Sequence, residues 1–303
     1  MRVDLQREFD DFSDFLSTIE SWDLPTFKDE LYRKVDHFAQ IIEKAPNKEE
    51  LKDRFFQICD KFASGPLHRR AREKPLGYAG DFLIIDWIYT QKTASSGKGK
   101  FFDLLFQSYE AAQAVRNRKQ YFINKCAELA HQKNSRIDIL NLGCGPCRDI
   151  LETVQTSKNG SHLHFHCIDN EPKAIEYAKK LLAQAGIQNN ILLDHANVLR
   201  FRTSRQYDLI WVAGLFDYLE DRAAVLLLKK IWKHLKDDGQ IIFGNFSPGD
   251  PTRQGMELVA RWKLIHRNAS DLIKLCREAL LPFSEIEIES EPLGVNLFCI
   301  VRK

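Results

Sequence analysis

The 303-residue chain has no charge of one sign to spare: 44 Lys and Arg stand against 42 Asp and Glu, a formal net charge of +2. That near-balance gives no global pull toward nucleic acid or an anionic membrane. No apolar run approaches the roughly 18 residues that a membrane span needs. The opening "MRVDLQREFDDFSDF" lacks the apolar core of a secretory leader and is too acidic for a transit peptide. Seven cysteines, odd in number and scattered, build no disulfide framework, so free thiols in a reducing cytoplasm are expected. Internal repeats and low-complexity tails are missing too. An ordinary globular protein of one large or two average domains remains.

Apolar residues recur at three- and four-residue steps through "FDDFSDFLSTIESW" and "FKDELYRKVDHFAQIIEKA", which predicts helices to about residue 72. Pro25 and Ala45-Pro46 punctuate them. The stretch "KPLGYAGD" (Lys74 to Asp81) is non-helical, "TASSGKGK" (Thr93 to Lys100) reads as a flexible basic loop, and helical spacing resumes from Phe101 to about Gln132. At Arg136 the period changes. Strands are predicted at 136–142, 162–168, 190–194, 206–213, 239–246, 283–289 and 295–301, with helices at about 147–157, 172–186, 220–236 and 269–280. Strands separated by helices imply a parallel sheet covered on both faces, and the last two strands form an antiparallel hairpin. The expected fold is therefore α/β, Rossmann-like, with seven mostly parallel strands. A helical module over 1–132 precedes a sheet domain over 133–303.

The first strand runs into "NLGCGPCRD" (Asn141 to Asp149). Cys144-Gly145-Pro146-Cys147 has the spacing of a redox dithiol, and a strand-to-helix context suits that reading. Gly143-Cys144-Gly145 equally makes a G-x-G turn whose backbone can approach a nucleotide-like ligand. Later stretches favour the turn. The second strand ends "HCIDNE", which puts Asp169 where a carboxylate can bind both ribose hydroxyls, with Asn170 beside it. "HANV" after the third strand offers Asn197 to an adenine edge and Val198 to its ring. "VAGLFDYLED" after the fourth brings Ala213 and Gly214 to the same edge, followed by Asp217 and Tyr218. Four such stretches in order occupy the strand ends where doubly wound sheets bind ligands. A dinucleotide dehydrogenase would need a third glycine at 148, where Arg148 stands.

From about 136 to 303 the sequence resembles the class I S-adenosylmethionine-dependent methyltransferases, on the G-x-G loop, the acid after the second strand and the closing "EIEIESEPLGVNLFCIVRK". The resemblance implies S-adenosyl-L-methionine as cofactor. It has two departures: Asn141 stands where many members carry an acid, and Cys147 replaces a frequent third glycine. "KPLGYAGD", "GLFDYLED", "GNFSPGDPTRQGMELVARWKLIHR" and "GVNLF" further resemble a bacterial subfamily with a helical N-terminal module, linked to synthesis of 3-hydroxy fatty acid methyl esters. This implies a small-molecule acceptor, with an acyl carboxylate as the leading class.

A carboxylate acceptor is already ionised and needs orientation rather than a base. Tyr78 and Arg253 are candidates for that task, with His266 or Arg267 close by in sequence, and Asp217 and Tyr218 are candidates near the transferred methyl. Turn and capping chemistry is the competing account of Tyr78, Asp81, Asp217 and Tyr218. Arg116 and Arg118, ahead of the long helix, could meet the cofactor's carboxylate or simply line a solvated face. His162, His164 and His166 share a face of the second strand, without a carboxylate or cysteine at ligand spacing, so no metal is expected. "HRRAREK" (His68 to Lys74) is the single basic cluster in the sequence, and no N-P-P-Y-type tetrapeptide follows the fourth strand. Both points argue against a nucleic-acid substrate. Methylation of an amine, hydroxyl or RNA, and a cofactor-binding regulator without turnover, are the alternative functions. The glycine-rich loop at Tyr78 is expected to close over the site as a lid, with Gly77 and Gly80 as its bend.

Overall fold

The computed structural model describes residues 5–94, 96–157 and 162–303. By compactness the chain divides into a helical unit, which runs to Gln113 and also includes Pro251–Lys263, and a sheet unit of Ala114–Asp250 and Leu264–Lys303. This division falls inside a helix at 113/114 rather than at 132/133, and it returns a stretch beyond the fifth strand to the helical unit.

In the helical unit, α1 (Leu5–Ser17), α2 (Leu24–Lys44) and α3 (Lys48–Cys59) meet through phenylalanines placed by helical spacing. Phe12 stacks on Phe55 at 5.0 Å and Phe15 on Phe27 at 4.6 Å. Each such ring, removed from water, contributes about 2–3 kcal/mol. Asp23 caps α2 by accepting the Thr26 amide hydrogen, and Pro25 sits in its first turn, where a missing N–H matters least. Next come α4 (Pro66–Glu73), α5 (Phe82–Tyr89) and α6 (Gly97–Ser108).

The expected flexible loop at 93–100 is not one: Gly97 to Lys100 are the first turn of α6, and Ser95 lies outside the described residues. Its Gly99 is required by packing, since a Cβ there would stand 2.7 Å from the Ser64 carbonyl oxygen. The expected helix from Phe101 is also broken at Tyr109, after which α7 (Glu110–Gln132) begins. In Pro251–Lys263, residues Gly255–Val259 form one π-helical turn, and Arg261 has φ +53°. Arg72 bonds the Val259 carbonyl and pairs with Asp60, while the Arg261 guanidinium lies 4.5 Å over Phe56.

The sheet unit holds β1 (Ile137–Leu142), α8 (Arg148–Thr156), β2 (Leu163–Asp169), α9 (Pro172–Gln184), β3 (Ile191–His195), β4 (Tyr207–Val212), α10 (Asp221–Trp232), β5 (Leu235–Phe246), α11 (Ala269–Glu278), β6 (Ile286–Ser290) and β7 (Asn296–Arg302). The seven strands run in the order β3-β2-β1-β4-β5-β7-β6. All neighbours are parallel except β5–β7 and β6–β7. Strand bounds agree with the expected ones to within a few residues, except that β5 starts at Leu235 instead of 239. Leu235 pairs with Tyr207, and a bulge then shifts the register. Central strands β1 and β4 are almost wholly buried, as strands covered on both faces must be. Between β1 and β4 the strand order reverses, and beyond their carboxyl ends such sheets open a crevice.

Candidate cofactor and methyl-transfer site

The loop after β1 is built for close approach. Gly143 and Gly145 have φ of +67° and +55°, a region that L side chains avoid. The amides of Gly143 and Cys144 both donate to the Ile168 carbonyl, at 2.8 and 3.2 Å, which ties the loop to the end of β2. Cys147, at the start of α8, is also left-handed, with φ +54°. Glycine's conformation is thus kept there without glycine.

Asp169 closes this arrangement. One carboxylate oxygen accepts the Gly145 N–H at 2.8 Å and the other the Glu171 N–H at 2.9 Å. Burial raises its pKa, and the two amide donors oppose that rise. Asn170 is exposed beside it, and its carbonyl lies 3.1 Å from the His195 ring. Asn197 is exposed and its Oδ1 accepts the Leu199 amide, whereas the Val198 side chain belongs to the apolar core.

The charged centre is Arg118. The sequence put it ahead of the long helix, either meeting the cofactor or on a solvated face; the structure places it within α7 and only 5% exposed. Its Nη1 reaches toward the Ala213 carbonyl at 3.4 Å and Asn296 Oδ1 at 3.5 Å. Its positive charge acts on two buried carboxylates, Asp149 and Asp217. Burial pushes each of them up to about 6, with Arg118 opposing. Asp149, in the first turn of α8, is a residue the sequence reading missed. It was visible only as the last letter of "NLGCGPCRD", with nothing to show that it is buried.

Asp217 and Tyr218 do not begin α10, as expected, but lie in a short 3-10 turn before it, and capping does not explain Asp217. Its carboxylate is buried and accepts the Phe246 amide at 2.7 Å, so it links the ends of β4 and β5. Tyr218 is 37% exposed. Arg267 is committed to structure: it bonds the Phe216 and Leu219 carbonyls, Asn245 Oδ1 and Asp221.

The structure therefore gathers Asn141, Gly143, Cys144, Gly145, Asp169, Asn170, Asn197, Val198, Ala213, Gly214, Asp217, Tyr218 and Arg118 in the sheet unit, on the loops and helix that flank the carboxyl strand ends. Tyr78 and Arg253 belong to the helical unit. Arg253 pairs with Glu257 at 2.9 Å. Tyr78 is half-buried in a loop where Gly77 has φ +88°, whereas Gly80 has no positive φ. Asp81 is the N-cap of α5 and pairs with Arg70, as the capping account held.

Other sequence features find other uses. His166 is buried between the Tyr207 hydroxyl, at 2.6 Å, and Asp194, at 2.8 Å, and His162 precedes β2. Among the described residues no group of three or more His, Cys, Asp or Glu is arranged to hold a metal ion. In "HRRAREK", His68 and Arg72 are buried and Arg70 is paired, so that run is neither a solvated face nor a free basic patch. Cys144 and Cys147 are free and buried. The Cys144 thiol is held well above its ordinary pKa by its hydrogen bond to Cys147 and by burial. Cys147 is raised as well: its bond with Cys144 pulls the other way, but contact with Cys167 and burial outweigh it. Thiols kept protonated and out of solvent are poor redox nucleophiles.

The site suits a zwitterionic sulfonium cofactor. Asn141 is buried with its side chain toward Asp149, and the Nε of Arg118 is buried without a hydrogen-bond partner among the described residues. One buried guanidinium charge acts on two buried carboxylates, so an arriving cation and carboxylate would complete both charge and hydrogen bonding.

The chain also resembles known proteins. Residues 133–279 match the model of a methyltransferase domain family. The malonyl-[acyl-carrier protein] O-methyltransferase of Bacillus anthracis is 25% identical over 150 residues, 48% of this chain and 51% of its own. The chain thus spans about half the length of that curated relative. A Bordetella parapertussis structure, named a possible exported protein, aligns over 94% of this chain and 98% of its own, with 18% identity and a TM-score of 0.63, so the fold of nearly the whole chain has a counterpart. The Synechocystis magnesium protoporphyrin IX methyltransferase with bound S-adenosylhomocysteine aligns over 65% of this chain and 88% of its own, at 12% identity and a TM-score of 0.49. Among the described residues no helix is long and apolar enough to cross a membrane. Over residues 133–279, just under half of the chain, the sequence thus matches a methyltransferase domain family, on a sheet of the doubly wound kind.

Proposed function

We propose that the protein methylates the carboxylate of a small acyl acid, with a 3-hydroxy fatty acid as the leading acceptor, in the cytoplasm of a bacterium. The observation that carries the reading is the buried Arg118, whose charge acts on the buried carboxylates of Asp149 and Asp217, in the unit that also holds the Gly143–Gly145 turn. The bound cofactor supplies an electrophilic methyl group on sulfur. Asn141, Gly143, Cys144, Gly145 and Arg118, with Asp149, hold its amino-acid end; Asp169, Asn170, Asn197 and Val198 hold the nucleoside; Ala213 and Gly214 form the wall between. A carboxylate oxygen needs no base, so Tyr78, Tyr218 and Arg253 orient it and the Arg253 charge partly neutralises it, while the buried Asp217 holds the strand ends in place through the Phe246 amide. The module over 1–132 serves as substrate cover, and its Tyr78 loop as the lid. In support of the acyl class stand the subfamily resemblance and the O-methyltransferase named for malonyl-acyl carrier protein.

Calorimetry with S-adenosylhomocysteine tests the cofactor site: micromolar binding is expected, lost in Asp169→Ala. Labelled S-adenosyl-L-methionine with 3-hydroxy fatty acids of graded length tests the acceptor, a base-labile labelled ester being the expected product. Binding without any labelled product, also with extracted amines, phenols and RNA, would leave a regulator that keeps the cofactor without turnover.

A further inference from the structure

The sequence holds one contiguous basic run, but the fold assembles a second from two separated segments. "LRFRTSR" (Leu199 to Arg205), between β3 and β4, carries three arginines, and "KKIWKH" (Lys229 to His234), at the end of α10, carries three lysines and a histidine. They meet around a concavity of about 530 Å³, where Arg200, Arg202, Lys230 and His234 converge on the walls and Leu199, Phe201 and Thr203 complete them. Among the described residues no carboxylate lines it. Of its cations, none forms an ion pair within 4 Å among the described residues. The Lys230 ammonium instead bonds the Phe201 carbonyl and lies 4.1 Å over that ring.

These charges press on one another. Lys230 titrates below its ordinary value, by burial and then by repulsion from Arg202, and His234 is lowered by burial and by Lys230. The negative end of α10 accounts for lysines in its last turn. It does not account for Arg200 and Arg202, which come from another segment and face the same hollow. On a protein whose net charge is +2, six uncompensated Lys and Arg in two short stretches are a local excess. An anion of one charge would neutralise little of it.

We propose that this concavity binds a small organic diphosphate, its linked phosphates held by Arg200, Arg202 and Lys230 and its organic part lying toward Leu199 and Phe201. Arginine forks suit phosphate oxygens in pairs, and the lysine adds a point charge. The site shares no residue with the methyl-transfer machinery, although Leu199 directly follows Val198. It therefore stands or falls independently of the acceptor.

Calorimetry at low ionic strength, with inorganic pyrophosphate and with ADP, tests it on the full chain. Pyrophosphate is expected to bind with a sub-millimolar Kd, weakened about tenfold or more in the double variant Arg200→Ser, Arg202→Ser. A control that removes the same charge elsewhere, Lys44→Ser with Lys48→Ser, is expected to keep full affinity. S-adenosylhomocysteine binding should be unchanged in both variants. Tighter binding of ADP supports recognition of the organic part as well, and equal binding supports the phosphates alone. No pyrophosphate binding, or equal loss in the control, overturns the proposal. So does association with phosphatidylglycerol vesicles or polyuridylate when pyrophosphate does not bind, since the surface would then serve a membrane or RNA.

Discussion

Arg118 and Gly214 fit each other: a Cβ at 214 would stand 3.0 Å from Nη1 and 3.1 Å from Nη2 of the guanidinium. The glycine at the end of β4 thus makes room for a cation carried by α7, nearly a hundred residues earlier. Gly214→Ala should displace the guanidinium from its place beside Ala213 with little loss of stability. We expect S-adenosylhomocysteine affinity to fall about tenfold, a shift of about 1.4 kcal/mol, with an unchanged melting curve. Unchanged affinity would remove Arg118 from the cofactor site.

Cofactor affinity should depend on pH through Asp149 and Asp217. Both are raised to about 6, so between 3.8 and 6 the folded chain holds protons that the unfolded chain has lost. Their contribution to stability is full below about 3.8 and is lost as pH rises through 6. A cationic ligand favours the ionised forms. Affinity for S-adenosyl-L-methionine is therefore expected to climb from pH 5 to 7 and then level off, with proton release on binding below the plateau. Asp149→Asn should flatten the climb, and calorimetry in two buffers of different ionisation enthalpy reads both effects.

His68 should make the helical unit acid-labile. Burial lowers its pKa from 6.5 to about 3, with Arg72 contributing further. The folded state keeps it neutral while the unfolded state takes up a proton, so stability is retained above 6.5 and lost as pH falls toward 3. The loss between pH 7 and 5 is about 2 kcal/mol. Urea unfolding of the parent against His68→Phe isolates it from other titrations. The parent should lose more stability than the variant by that amount.

Cys147 keeps a left-handed backbone with a buried side chain. Cys147→Gly relieves roughly 1 kcal/mol of backbone strain and gives up about as much burial, so stability should change by less than about 1 kcal/mol. Cys147→Val puts a branched side chain where such residues are outliers and should destabilise by about 2 kcal/mol or more. Neither variant should alter thiol–disulfide exchange, because the parent is expected to reduce no insulin. Thermal unfolding and an insulin turbidity assay check the two halves.

Much of this fold was written in local pattern. The apolar runs around Ile139 and Ile210, the helical spacing of Phe9, Phe12 and Phe27 and the glycines of the turn at 143–145 each answer to neighbours within a few residues. The sequence by itself therefore determined the strands, most helices and the order in which the loops reach the carboxyl ends of the sheet. Burial and charge pairing answer to residues far off in the chain, and only the tertiary structure decided those. It took Arg118 off a solvated face and set it against Asp149, Asp217 and Gly214. It withdrew His68 and Arg72 from an apparent basic patch, and it built another around Arg200, Arg202 and Lys230. It also took residues 251–263 out of the sheet unit. The physical reason is that periodicity records which face of an element is apolar, while an ionisable group's state depends on what the fold brings within a few ångströms of it.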